Sequence, residues 1–329
     1  MPIGLGRKSF IQFGLETVWG TAVAATNRLE VISMSIDPDQ GLILDPSLND
    51  SVGRRGLFQG GIVYRGNFLV RLNYQGMLKL FKAMFGVTWT PTLVEAATSW
   101  DHIVHDALAQ LTVKSLTIEM IEGDVDTGKC QRLLGAILTS MTVRVTAGQG
   151  TDAMLQAEFE VLAKDKETNQ TPTVSLSAPA VLPALFHHAT VTVDDGVTTT
   201  GLFVRSLEVK YEAPHAADRF YLGSKNPAEP LRDDFVKATY TFSQDFQTRL
   251  ALDALKAFTN ASPQIIFRGN ALGANFYEFE MKSDKGQVSR VSHPVSGYGR
   301  IFMETTIEAY HDGTNGTFYT RFRNGESAI

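Results

Sequence analysis

Val31-Ile32-Ser33-Met34-Ser35-Ile36 and Val204-Arg205-Ser206-Leu207-Glu208-Val209 carry the same two-residue alternation, 173 residues apart (204 − 31). Alternation of this kind marks a strand with one face buried and one exposed. A second echo has helical spacing: Leu78, Phe81 and Met84 return as Leu252, Leu255 and Phe258, 174 residues on (252 − 78). A third pairs Ile137-Leu138-Thr139-Ser140-Met141-Thr142-Val143 with Ile301-Phe302-Met303-Glu304-Thr305-Thr306-Ile307, at an offset of 164 (301 − 137). Pattern and order are shared while most letters differ, which indicates a duplicated fold rather than a repeated motif.

The chain has 329 residues, enough for two domains of ordinary size. Hydrophobic residues make up 43% and charged residues 20%, a globular balance. The net charge is −5, which argues against a phosphate-gripping surface, since such surfaces need clustered Lys and Arg. Cys130 is the single cysteine, so neither an intrachain disulfide nor a cysteine-based zinc site can form. Neither a signal-length apolar run after Met1-Pro2-Ile3-Gly4-Leu5-Gly6-Arg7-Lys8 nor a bilayer-length stretch of roughly 20 apolar residues is found. Synthesis and folding in cytoplasm, with no membrane partner, is the expectation.

Along the chain the patterning predicts strands at 29–36, 67–74, 111–121, 137–145 and 153–162, with a helix at 75–85. In the second copy it predicts strands at 235–246, 276–281, 300–310 and 317–323, with a helix at 248–258. Residues 14–22 read as an extended arm or loop. Residues 37–60 and 212–234 read as matched long loops, polar and rich in turn formers, and loops of that length are usually functional. The organisation expected is an N-terminal arm (1–28), a first β unit (29–163), a Pro- and Thr-bearing linker (164–184) and a second β unit (185–329). The fold class is mainly β: two tandem related antiparallel β-sandwich or barrel units, each with one covering helix.

No catalytic or metal constellation stands out. His102 and His105, three apart in a loop or strand, put their side chains on opposite faces, and His187-His188 lack a completing carboxylate. Glu119, Glu122, Asp124, Asp126 and Gly128 lack the register of a calcium loop. Gly4-Leu5-Gly6-Arg7-Lys8-Ser9 lacks the Gly-Lys-Ser/Thr run and the preceding strand of a phosphate loop. There is no Gly-x-Ser-x-Gly elbow, and Cys130 has no assignable histidine partner. The reading is a non-enzyme with no cofactor.

Gly14-Leu15-Glu16-Thr17-Val18-Trp19-Gly20-Thr21 resembles the "G-x-E-x-x-aromatic-G-T" opening of siphophage tail tube proteins, with Trp19 at the usual tyrosine-like position. Leu116-Thr117-Ile118-Glu119 and Gly135-Ala136-Ile137-Leu138-Thr139-Ser140-Met141-Thr142-Val143 resemble two further strands of that family, and the similarity continues weakly through the second copy. The resemblance implies a virion protein that self-assembles into stacked rings, the hollow tail tube through which DNA passes transiently. Six units per ring are implied, hence three chains of this duplicated type, with tape measure, tail terminator and tail tip proteins as further partners. Contacts between rings and subunits are expected in the loops and arm, at Trp19, Leu42, Ile43, Leu44, Arg54, Arg55, Phe220, Tyr221 and Arg232. Glu119, Glu158 and Glu160 are candidates for an acidic lumen wall that repels the DNA backbone. The rival reading is a β-sandwich decoration or tail-tip module contacting a host surface; an enzyme such as a glycosidase ranks third.

Overall fold

The computed structural model describes residues 9–45, 56–85, 91–95, 98–106, 114–123, 128–177, 180, 182–195, 199–247, 249–295, 300–314 and 316–327. The first half runs β1 (Phe10–Leu15), β2 (Asn27–Leu29), β3 (Val31–Leu44), β4 (Leu57–Arg71), α1 (Leu78–Phe85), β5 (Thr92–Glu95), β6 (Ser99–His105), β7 (Leu116–Ile121), β8 (Cys130–Thr146), β9 (Gln156–Ala163) and β10 (Asp165–Gln170). The second half runs β11 (Ala189–Asp194), β12 (Thr199–Leu202), β13 (Val204–Glu212), β14 (Lys237–Asp245), α2 (Leu250–Ala257), β15 (Ser262–Leu272), β16 (Asn275–Lys282), β17 (Gly286–Ser292), β18 (Phe302–Ala309) and β19 (Tyr319–Asn324).

The antiparallel pairings repeat the same order twice. One layer is β3-β4-β9-β8 in the first half and β13-β14-β18-β17 in the second. The other layer is β2-β1-β7-β8-β10, answered by β12-β11-β15-β16-β19. β8 serves both layers: its start pairs with β7 and β10, its end with β9. In the second half two strands, β16 and β17, divide that task. Even a bulge is repeated, between Leu138 and Ser140 against β9 and between Val288 and Arg290 against β18. A bulge leaves one residue unpaired and bends its strand, so it is a specified feature of a sheet rather than noise.

The repeat is therefore deeper than the sequence echoes, and one echo is corrected. Before the helices the offset is 173, as Val31 and Val204 open their strands; after them it is 146 (302 − 156), because Phe302–Ala309 answers Gln156–Ala163. The expected match of 137–143 with 301–307 slips by one strand, as do the matches of 111–121 with 276–281 and 153–162 with 317–323. The cause is β15, whose run Ser262-Pro263-Gln264-Ile265-Ile266-Phe267 was not read as a strand. The change of offset reflects the β5–β6 hairpin, which is inserted after α1 and has no counterpart after α2.

Three further expectations are corrected. Residues 37–60 are not a loop over their described part but the outer portion of a two-stranded ribbon, with Asp37↔Arg65 through Leu44↔Leu57 in register. The turn-forming residues there, Asp37-Pro38-Asp39-Gln40-Gly41, are accommodated because β3 is an edge strand, where a proline deletes no ladder bond. Phe10–Leu15, within the expected arm, is a sheet strand paired on both sides. Residues 165–170, within the expected linker, form β10 on the edge of β8.

Three contacts stand out among those that fuse the halves. β8 and β13 pair from Ser206↔Thr146 to Glu212↔Ser140, so the first layers of both halves form one continuous sheet. The inserted β6 pairs with β19 from Tyr319↔His105 to Asn324↔Trp100, and Arg323 reaches Asp101 with Nε and Nη2 at 2.7 and 2.8 Å. Between these seams lies α1, which inserts Phe81 beside Phe159 of its own half and against Phe322 and Phe279 of the other, at ring separations of 6.2, 4.8 and 5.8 Å. Phe85 meets Tyr211 at 4.9 Å and Phe318 at 5.8 Å. Such pairs each contribute about 0.5–1.5 kcal/mol beyond area burial. Phe81→Ala is expected to cost about 3–5 kcal/mol, because a cavity opens where four rings meet. Urea unfolding should show an earlier transition for the variant; a midpoint equal to wild type would contradict the placement of this ring.

Candidate assembly surfaces

The opening motif of the chain proves to be a structural clamp. The buried Glu16 carboxylate accepts hydrogen bonds from Ser115 Oγ (2.6 Å), Thr117 Oγ1 (2.9 Å) and the backbone N–H groups of Gly20 (2.8 Å) and Gly135 (2.9 Å). Four donors to one carboxylate offset its desolvation. Trp19 Nε1 donates to Gly135 O at 3.2 Å, and the Lys164 ammonium lies 4.7 Å from its ring centre. Gly135 has φ of +60°, where side chains are strained, and a Cβ there would meet the Trp19 indole. Glu16 and Trp19 thus hold the bend at which β8 passes from one layer to the other. Trp19, expected as an assembly contact, is half-buried in this fold contact.

The ribbon presents the opposite character. Leu42, Ile43, Leu44, Leu57 and Phe58 are all exposed, Leu42 and Leu57 by more than 60%. Such a contiguous apolar patch on a two-stranded projection marks an interaction surface, since water penalises it in a lone subunit. Arg54 and Arg55 lie outside the described residues. The ribbon's base is supported by the 212–234 loop: Ile62 N–H donates to Lys225 O (3.1 Å), Lys225 Nζ to Gln59 Oε1 (3.0 Å), and Phe220 covers Gly61. A Cβ at Gly61 would come within 2.6 Å of the Phe220 ring, so glycine there permits the approach. Phe220 is thereby partly used within the chain, while Tyr221 stays exposed and takes a hydrogen bond from Arg219 Nη2 (3.0 Å). Arg232 is half-buried, bridged through its backbone to His215.

The outward face of the continuous sheet is a charged mesh. Along β13, Leu207, Val209 and Tyr211 enter the core, while Glu208, Lys210 and Glu212 face away from it. Glu158 and Glu160 of β9 share that outward face. Arg144 joins Glu158 (3.3 Å) and Glu208 (2.9 Å), and Lys210 joins Glu212 (2.6 Å). These exposed pairs add little stability, about 0–1 kcal/mol each. Glu119 does not belong with Glu158 and Glu160, and that grouping is corrected. It is wholly buried in the other layer, bound by Arg132 (3.1 Å), Gln12 Nε2 (3.4 Å) and the Thr173 N–H (3.0 Å). Its position between Gln12 and Arg132 on neighbouring strands, under the segment carrying Thr173, decides its role.

Among the described residues the continuous sheet ends in two edges that pair with no further strand, β3 at one side and β17 at the other, although Gln287 at the start of β17 bridges Asn260. Sequence reading named contact residues in the loops and arm rather than on these edges, although the alternation of 31–36 identified one of them as a strand. Unpaired edges carry rows of unsatisfied N–H and C=O groups and template pairing with another chain.

The remaining candidates for chemistry are structural. Burial pushes the Cys130 thiol up to about 11, which suppresses its thiolate form. Among the described residues no group of three or more His, Cys, Asp or Glu is arranged to hold a metal ion. His102 is buried on β6 with Nε2 2.8 Å from Glu326 O, and burial lowers its pKa below the ordinary 6.5. A histidine lowered in the folded state contributes stability above its unfolded pKa of 6.5, and that contribution is lost as pH falls from there through the lowered folded-state pKa. Wild type should therefore lose thermal stability relative to His102→Gln between pH 7.5 and 5.5; parallel melting curves would contradict this.

These features define a two-layer β protein whose long sheet ends in exposed edges, with an apolar ribbon and no assembled reaction centre among the described residues. The chain matches the family model for phage tail tube protein over residues 6–297, and it belongs to that family. It is a structural protein of the virion tail, a component of the tail tube. Comparison with curated proteins gave no match.

Proposed function

We propose that three chains close into a ring of six sandwich units, and that such rings stack into the tube through which DNA passes. The observation that carries this reading is the β8–β13 seam, where the first half's sheet joins the second half's within one chain. The counterpart of β8 in the second half is β17, and the counterpart of β13 in the first half is β3. Both counterparts are free edges, so the same seam can form between β17 of one chain and β3 of the next. Repeating it closes both ends of the continuous sheet, as symmetric assemblies of edge-bearing sheets require. Six units per ring is what the resemblance to tail tube proteins implies; the duplication then gives threefold rather than sixfold symmetry.

The register follows from the shared bulges. Thr142 lies opposite Lys210 in the chain's own seam; their counterparts are Ser292 and Asp37. By the same rule Arg290 faces Asp39, a pair of opposite charge. Residues directly opposite on antiparallel strands have Cα atoms about 4.5–5.5 Å apart, within disulfide range. Ser292→Cys combined with Asp37→Cys should give oxidised trimers on non-reducing gels of assembled protein, while either cysteine alone should not. Absence of cross-linking in assembled tubes would refute this register.

The ribbon is assigned to contacts between rings, because its tip is an exposed apolar projection that lies beyond the sheet seam. Replacing residues 42–59 with a two-residue Asn-Gly turn should preserve rings and abolish tubes in negative-stain images. Tubes of normal length would overturn this assignment. The outward face bearing Glu158, Glu160, Glu208 and Glu212 is assigned to the lumen, where interleaved carboxylates disfavour adhesion of the DNA backbone. The tape measure, tail terminator and tail tip proteins are the partners proposed at the ends of the tube.

A further inference from the structure

The two kinds of seam in such a ring differ in chemistry. Within the chain, Phe81 and Phe85 of α1 are wholly buried against Phe279, Phe322, Phe318 and Tyr211 of the second half. Aligning the strand orders gives each of these residues a counterpart. Met120 and Ile265 occupy the same place, because Ile11↔Met120 and Val191↔Ile265 pair beside equivalent partners, Leu29 and Leu202. Their neighbours Gln131 and Met281 then correspond, and two residues earlier Lys129 corresponds to Phe279. Phe279 pairs with Phe322 across the ladder with rings 4.6 Å apart; in the first half Lys129 donates from Nζ to Thr171 Oγ1 at 3.3 Å. Lys166 stands where Phe318 does, and Pro38 where Tyr211 does.

The helix has changed in step. The helical echo expected from the sequence, Phe81 with Leu255, is displaced by two residues. Phe81 N–H donates to Met77 O at the start of α1 as Asp253 N–H donates to Arg249 O at the start of α2, so Phe81 falls on Asp253 and Phe85 on Ala257. Phe81 and Phe85 are buried, whereas Asp253 and Ala257 are exposed. Beneath α2 lies a cavity of about 360 Å³ lined by Asp253, Ala254, Ala257, Phe242 and Thr305. The corresponding space in the first half holds Phe81, Phe85, Phe68 and Phe159, the last being the counterpart of Thr305. Thr305 is 6% exposed and borders this cavity, and its buried hydroxyl has no hydrogen-bond partner among the described residues. Nor does the second half supply an inserted hairpin to cover the next chain's β10, as β6 covers β19.

We propose that the surface formed by α2 and this cavity docks a second copy of the chain through a polar, ionic seam, with Asp253 opposite Lys129 of the neighbour. This rests on the ring reading above and deepens it. The aromatic seam fuses the halves of one chain permanently. The ionic seam lets chains stay apart at low concentration and join reversibly, because exposed charges steer association and are screened by salt.

The test is sedimentation velocity of the full chain at 50 and 500 mM NaCl, with negative-stain imaging of the same samples. Wild type, Asp253→Lys, Lys129→Asp and the double reversal are compared, each checked for an unchanged melting curve. We expect high salt to weaken wild-type assembly, and each single reversal to weaken it by about tenfold at low salt through like-charge opposition. The double reversal should return to within about threefold of wild type, the signature of a direct pair. Single reversals that assemble like wild type into visible rings would overturn the ionic seam while leaving the ring reading intact. Folded wild type that forms neither rings nor tubes at either salt would overturn the ring reading itself.

Discussion

The antiparallel pairing of β8 with β13 is the contact on which the rest of this structure depends. It joins two sandwiches into one sheet, and it leaves that sheet with edges of opposite identity at its two ends. A chain without this pairing would expose four edges; with it, the two that remain are counterparts of the two already joined. α1 stabilises the pairing by placing aromatic rings across it, and the inserted β5–β6 hairpin adds a second ladder in the other layer. Backbone hydrogen bonds set the register here, while burial of Phe81 and Phe85 adds adhesion across it.

Duplication released the two copies to diverge where their surroundings differ. The interior alternation of β3 and β13 survives because one buried face is needed in both. The helix faces diverge, from Phe81 and Phe85 to Asp253 and Ala257, because one helix closes a permanent seam and the other meets an exposed surface. Phe159 and Thr305 follow the same logic one layer down. A threefold assembly built in this way is not a sixfold one with decoration: its alternate seams are made of different chemistry.

Much of this was legible in the sequence, and the failures are instructive. The alternation at 31–36 and 204–209 located the duplicated edge strands, and the helical spacing after each located both helices. The third echo failed because two-residue alternation says that a segment is a strand without saying which strand. Omitting β15 then moved every later match by one place. The ribbon was misread because Asp37, Pro38, Asp39 and Gly41 are turn formers by propensity, yet an edge strand tolerates them. Glu119 looked like a wall charge because its partners, Gln12, Arg132 and the Thr173 N–H, come from distant parts of the chain. The family resemblance rested on residues 14–21, 116–119 and 135–143, and three of these, Glu16, Trp19 and Gly135, form the clamp at the bend of β8, so part of that resemblance is a fold-defining contact.

The central claim is that the seam inside the chain is the template for the seam between chains. Hydrogen exchange of backbone amides, measured before and after assembly, tests it most directly. The account predicts that amides of β8 and β13 are protected in the dispersed subunit and stay so, while the outward-facing amides of β3 and β17, those not bonded to β4 and β18, exchange freely until assembly and then become protected together. Tubes in which β3 and β17 remain as exchangeable as in the dispersed subunit would contradict it.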